Sequence, residues 1–363
     1  MAEKLRWAAV VFVSVVLGAA VAVGIDAAFE DNSGGTTTVI ERVQPGASGG
    51  VSSAINDVAD LYEQVRDSVV RINASAGGFG GGVGSGVVLD KEGHILTNNH
   101  VVANAASLDV VLADGTSAPA RVVGRDPGND LAVIRADLPA DKLKPAKLGN
   151  SDDIRVGEFV IAVGNPFELN STVTEGIVSG IGRTLAEGGG RPLRQLIQAD
   201  AAINPGNSGG GLFNGRGELI GITTAIENPS GDRVFVGIGY AVPVNIATRF
   251  LPDMLAGKTV EHPRLGVGPL VDVTPSMGLG VDKGVLVAGV DPNSPAARAG
   301  IRGSRSSGDV IVAVDGQRVE DFEDLANAID SKQVGDTVEV SVLRDGRELT
   351  LSVTLEAWRS GNS

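Results

Sequence analysis

The chain of 363 residues contains no cysteine, which removes disulfide scaffolds, thiolate nucleophiles and cysteine-ligated metals from consideration. Aromatic residues make up 4% of it and histidines number three, His94, His100 and His262. Any imidazole chemistry therefore has few places to be. Positive charge is also short, with 30 Lys and Arg against 44 Asp and Glu for a net charge of −14. That balance argues against nucleic-acid binding, because little is left to neutralise a run of phosphates. No metal-ligating or cofactor motif stands out, and neither a metal nor an organic cofactor is expected.

What is present is glycine, 51 residues of it, and 42% hydrophobic content. Together they predict a globular body of many turns and short strands. The length suggests two domains with additions. Near the N-terminus, residues 7–25 form a run of nineteen uncharged residues, "WAAVVFVSVVLGAAVAVGI". As a helix it would span about 28 Å, close to the hydrocarbon thickness of a bilayer. Lys4 and Arg6 precede it and Asp26, Glu30 and Asp31 follow, so the body is expected outside the cytoplasm. The competing reading is a cleaved signal peptide with "AVA" at 20–22 as its processing site. Residues 32–53, rich in Gly, Ser and Thr, read as a flexible linker.

Short β-like segments follow: 68–75, 84–90, 108–123 with a turn at Asp114-Gly115, 158–166, 172–183, 211–226 and 236–244. Such a series predicts an all-β barrel or sandwich pair. Ile246, Phe250 and Met254 are spaced as on a helix over 245–256, with Gly257 as its stop. Beyond 256–262 the pattern changes. Strand, turn and short helix over 284–300, a strand at 309–317, an amphipathic helix at 320–330 and a hairpin turning at Asp345-Gly346 make a compact α+β module.

Chemistry concentrates in "NPGNSGGG" (204–211), where four glycines surround Ser208. The bland alternative is a loop. A nucleophilic serine would need a base and a group to orient that base. In the β-rich part the base is His94 or His100. His94, just past the turn "DKEG", reads as a solvated strand residue, whereas His100 lies where the apolar "ILT" strand runs into polar residues. Among the acids, Asp126 before a proline reads as a turn former and Asp137 as solvated. Asp130 opens the buried run "LAVI", where an ionised carboxylate calls for a donor. The order His, Asp, Ser is that of the chymotrypsin arrangement.

Taken jointly, "TNNHVV", "NDLAVI" and "DAAINPGNSGGGL" resemble the HtrA family of serine proteases over residues 60–357. The resemblance implies a mainly β fold: a chymotrypsin-like double β-barrel followed by an α+β PDZ domain; the apolar run ahead of it adds an N-terminal transmembrane helix. The chain then divides into a cytoplasmic stub and anchor (1–26), a linker (27–57), a trypsin-like protease domain (58–257), a PDZ domain (258–357) and a tail (358–363). The resemblance also implies His100 as general base and acid, Asp130 as its orienting partner, Ser208 as nucleophile and the backbone N–H groups of Gly206 and Ser208 as an oxyanion hole, the glycines keeping side chains off the oxyanion. "GIGYAVP" (237–243) matches the strand bordering the specificity pocket, whose small and apolar residues suggest cleavage after aliphatic side chains. "RLGV", Arg264, Leu265, Gly266 and Val267, matches a PDZ carboxylate-binding loop, with Leu325 and Ile329 on the facing helix. Residues 183–195 lie where the family has a regulatory loop, and the three glycines at 188–190 predict mobility there.

The implied partners are unfolded or regulatory protein substrates, peptide C-termini, the membrane and further copies of the chain in a trimer. Unlike the many members with two PDZ domains, this chain has room for one. The rival reading is a catalytically silent chaperone or PDZ scaffold.

Overall fold

A computed structural model describes residues 58–358 apart from 78–79, 168–169, 186–190, 205 and 227–236. The apolar run 7–25, the linker and the 188–190 glycines lie outside the described residues. Among the described residues, no helix is long and apolar enough to cross a membrane.

After helix α1 (Val58–Val65), six antiparallel strands close into a barrel in the order β1-β2-β3-β6-β5-β4. They are β1 (Val69–Gly77), β2 (Gly80–Val88), β3 (His94–Thr97), β4 (Ser107–Val111), β5 (Ser117–Asp126) and β6 (Leu131–Ala136). The β4–β5 hairpin turns at Asp114-Gly115, Gly115 taking the positive φ (83°) that a side chain would resist. Val70, Ile72, Ile95, Val110 and Ile134 fill the barrel without solvent exposure. Helix α2 (Asn99–Val102) leaves the end of β3.

A second sheet follows: β7 (Lys147–Leu148), β8 (Phe159–Phe167), β9 (Asn170–Leu185), β10 (Leu193–Ala199), β11 (Gly211–Asn214), β12 (Glu218–Ile226) and β13 (Gly239–Pro243). Its order is β11-β8-β9-β10-β13-β12-β7, and β11 also pairs with β12, so six of its strands form a second ring. One cluster joins the two halves, with Leu96, Leu131 and Val133 of the first packed among Ile161, Phe213 and Ile222 of the second. This is a mainly β, chymotrypsin-like double barrel. Helix α3 (Val244–Leu255) buries Val244, Ala247 and Met254 and stops at Gly257, φ 82°.

The remaining module has β14 (Pro263–Arg264), β15 (Leu270–Asp272), β16 (Val285–Val287), β17 (Val310–Val314), β18 (Gln317–Arg318), β19 (Thr337–Arg344), β20 (Arg347–Thr354) and β21 (Glu356–Ala357). Helix α4 (Pro295–Ala299) is capped by Ser294, whose Oγ accepts from Ala297 N at 3.2 Å, and is ended by Gly300 at φ 82°. Helix α5 (Phe322–Asp330) is capped by Asp321 and buries Leu325, Ala328 and Ile329. Strand β19 alternates buried Val338, Val340 and Val342 with outward residues and turns tightly at Asp345 and Gly346, φ 50° and 74°.

Candidate active site

Asp130 ends a short 3₁₀ turn, Pro127–Asn129, in the left-handed conformation (φ 53°, ψ 44°). The turn lies between β5 and β6, and Asp130 is 7% exposed. Its carboxylate reaches the first turn of α2. Oδ1 accepts from the backbone N–H of His100 at 2.9 Å, and Oδ2 pairs with His100 Nδ1 at 2.7 Å. Its carbonyl accepts from Asn99 N at 3.1 Å and Asn98 Nδ2 at 2.9 Å. The N-cap Asn98 makes no side-chain cap bond. At that helix start the carboxylate of a residue distant in sequence therefore satisfies the orphan N–H of His100, and its backbone carbonyl that of Asn99. His100 accordingly sits in a helix, three residues past the end of β3, the strand from whose end the sequence was expected to project it.

Ser208 arrives from the other barrel, three residues before β11. Its Oγ donates to the backbone carbonyl of Thr224 at 3.1 Å, and Thr224 Oγ1 donates to Asp130 Oδ2 at 2.6 Å. Thr224 thus touches both the serine and the acid, and the sequence reading missed it. Its place at the centre of the β12 run "GITTAI" carried no local sign of that role. His100 lies on a pocket of ≈ 240 Å³ with Val101, Asn104, Ala105 and Gly82.

Ser85 on β2 clasps the serine loop and was also missed. Its N–H donates to Ser208 O at 2.8 Å and its Oγ to Gly206 O at 2.7 Å, while that Oγ accepts from Asn165 N at 2.8 Å. The glycines answer to this packing. Gly206 has φ 96°, and a Cβ there would stand 2.5 Å from Pro166 Cβ; at Gly209, φ 85°, it would stand 2.1 Å from Ser85 O. Gly210 closes against Val163 O at 2.4 Å by the same measure. Gly209 and Gly210 thus admit neighbouring backbone, a reason different from the expected one of keeping side chains off an oxyanion. Behind the loop, Ile203 is buried and lies so close to Gly239 that a Cβ there would meet its Cδ1 at 2.8 Å.

Of the other two histidines, His94 differs from expectation and His262 was given no role. His94 is not a free solvated side chain: Nδ1 pairs with Asp90 Oδ2 at 2.6 Å, and the ring is 20% exposed. Asp126 is a turn former, as read, but a wholly buried one, and His262 Nε2 lies 2.6 Å from its Oδ1. Asp137 is exposed.

In the second module, Arg264 reaches Asp291 at 3.3 Å and lies over the Trp358 ring at 5.8 Å. Gly266 has φ 78°, where a Cβ would collide with Ser294 at 2.2 Å, and its carbonyl accepts from Asp291 N and Ser294 Oγ, each at 3.0 Å. Leu265 and Val267 line a groove of ≈ 320 Å³ with Leu325, Ile329 and Trp358. Arg191 and Arg194, from the double barrel, form part of its wall. Arg191 Nη2 donates to Asp330 Oδ2 at 2.7 Å and Arg194 Nη2 to the same oxygen. Burial lowers the pKa of the Arg194 guanidinium, against the pull of Asp330. Burial also raises the pKa of Glu323, helped by Asp321.

A bilobed β body with a serine, an imidazole and a carboxylate drawn together at its seam defines the trypsin-like class. Residues 84–222 match the family described as "Trypsin-like peptidase domain", and residues 263–355 match "PDZ domain". The solved structure described as "HtrA-type protease AlgW with tripeptide" superposes with a TM-score of 0.73 at 36% identity, covering 85% of this chain and 99% of that one. "Protease Do-like 1, chloroplastic" of Arabidopsis thaliana is 44% identical over 283 residues, 76% of this chain and 64% of that protein. "Periplasmic serine endoprotease DegP" of Escherichia coli K12 is 40% identical over 291 residues, 77% of this chain and 60% of that protein. The chain belongs to the HtrA family of serine proteases. It spans less than two thirds of the length of these two curated relatives.

Proposed function

We propose that the chain is a membrane-anchored, extracytoplasmic serine endopeptidase of protein quality control or stress signalling, which cleaves misfolded or regulatory proteins. The observation that carries the reading is the His100 Nδ1–Asp130 Oδ2 bond of 2.7 Å, with Thr224 linking the same carboxylate oxygen to Ser208. An acid on Nδ1 leaves Nε2 as the basic nitrogen. Ser208 Oγ turns from Thr224 O toward Nε2, loses its proton there and attacks the substrate carbonyl. The developing oxyanion meets the N–H groups of Gly206 and Ser208, each such donor contributing about 2.7–4 kcal/mol to the transition state. His100 then protonates the leaving amine, and water hydrolyses the acyl-enzyme by the reverse roles. The chemistry calls for no metal or cofactor.

The small and apolar residues of 237–243 support cleavage after small or medium aliphatic residues; strict Arg or Lys preference in a peptide library would overturn that. Groove residues Arg264 to Val267 receive a peptide C-terminus as an added strand, with Leu265, Leu325 and Ile329 around its last side chain. The 7–25 run anchors the chain in a single pass, and copies assemble as a trimer.

A fluorophosphonate probe tests the chemistry. Wild-type protein labels at Ser208 and degrades casein, and Ser208→Ala loses both. A folded wild type that never labels in the presence of activating peptides refutes the proposal, and retained suppression of aggregation would then favour the silent chaperone.

A further inference from the structure

The third histidine has no part in the chemistry above, yet it is 5% exposed and beside an acid that is wholly buried. His262 lies at the entrance to the second module, outside residues 84–222 that match the peptidase family. The chain leading to it runs alongside β5. Lys258 O accepts from Arg125 N at 3.1 Å, and Val260 N donates to Arg125 O at 2.8 Å. These bonds deliver the imidazole onto the turn that presents Asp130.

Its contacts there are specific. Nε2 is 2.6 Å from Asp126 Oδ1. The same carboxylate accepts from Asn129 N at 3.1 Å on Oδ1 and from Asn129 Nδ2 at 2.8 Å on Oδ2. The ring covers Gly128 so closely that a Cβ there would stand 2.3 Å from His262 Cδ2. Phe250 meets the ring edge-on at 5.1 Å, and His262 O accepts from Trp358 N at 2.9 Å. Arg191 Nη1 adds bonds to Gly128 O at 2.6 Å and Asn129 Oδ1 at 2.8 Å. The residue after this turn is Asp130, in a left-handed conformation uncommon for non-glycine residues though tolerated by aspartate.

We propose that His262 is a positioning residue for the proteolytic centre: by donating from Nε2 to Asp126 it rigidifies the 126–129 turn and so holds Asp130 where its carboxylate orients His100. The inference rests on the reading of Asp130 as the orienting acid. The buried carboxylate of Asp126 needs donors. Two come from Asn129, within the turn itself, and tie it internally. The third comes from a residue 136 positions away and ties the turn to the rest of the protein. Losing that third donor frees the turn to shift, and displacements of about 1 Å in a catalytic group cost up to about 100-fold in rate.

The test uses the full chain. Ser208→Ala first separates failure of the proteolytic reading from failure of this one. Then kcat and KM on a peptide substrate, and the rate of phosphonate labelling, are measured for His262→Phe, His262→Gln and His262→Asn, with circular dichroism to establish folding. Phenylalanine keeps the ring over Gly128 and against Phe250 but cannot donate. Glutamine places an N–H near the position of Nε2, and asparagine is too short to reach Asp126.

The expected result is a fall of about tenfold in kcat and labelling rate for Phe and Asn, with KM within about twofold of wild type, and recovery of most of kcat by Gln. A folded Phe variant with wild-type kcat overturns the proposal. So does a Gln variant as slow as Asn, or a loss confined to KM. If the Phe variant does not fold, the Gln and Asn pair decides alone.

Discussion

Replacing Thr224 by valine keeps the shape of a buried β12 residue and removes one hydroxyl. That hydroxyl donates to Asp130 Oδ2 at 2.6 Å, on the oxygen that also pairs with His100 Nδ1. The backbone carbonyl that receives Ser208 Oγ is untouched. A hydrogen bond to a charged group contributes about 1.5–3 kcal/mol net, so urea denaturation should show a loss in that range. The carboxylate keeps its two bonds to His100 and loses the donor that stops it rotating about them. If that loosening removes about 1.4 kcal/mol of transition-state stabilisation, kcat falls about tenfold. KM should hold, because Thr224 is buried beneath the site. Thr224→Ser keeps a donor and should retain most of the activity. A valine variant with wild-type kcat, or a serine variant as slow as valine, refutes the view that this hydroxyl steadies the acid.

Gly209→Ala should be severely destabilised: the left-handed backbone costs about 1–2 kcal/mol, and overlap with Ser85 O adds to it. A urea midpoint equal to wild type would contradict the tight packing of the serine loop. Glu218 is held at about 2 by hydrogen bonds from Asn214, Lys147 and Arg216. A folded pKa below the ordinary carboxylate value means its stabilisation is full above that value and is lost as pH falls toward 2. The stability difference between wild type and Glu218→Gln should therefore shrink on acidification, and a gap that stays constant from pH 6 to pH 2 counts against the reading. Asp330→Ala leaves the largely buried Arg191 and Arg194 without their shared carboxylate. It should destabilise the protein by about 3 kcal/mol, the low end for a broken buried pair because Asp330 is 20% exposed; a change near zero on urea unfolding would refute this.

Much of the architecture was legible locally. The alternation of valines in 338–342, the Asp-Gly turns at 114–115 and 345–346 and the Asp321 cap each express a short-range rule that two or three neighbouring residues satisfy. The serine loop and the acid before "LAVI" stood out because glycine density and a charge at a buried strand mouth are both unusual in composition. Thr224, Ser85 and the Asp126–His262 pair were invisible for the opposite reason. A threonine in a strand, a serine between glycines and a histidine before a proline are ordinary where they stand.

The order and kinds of residue along this chain determined by themselves many of the strands and turns, though not β10 (Leu193–Ala199), and that one serine, one histidine and one aspartate are candidates for shared chemistry. Only the tertiary structure decided who holds them. Hydrogen bonds act over about 3 Å, and chain closure brings together groups 16 positions apart, as with Ser208 and Thr224, or 136 apart, as with Asp126 and His262. No local pattern encodes such a distance.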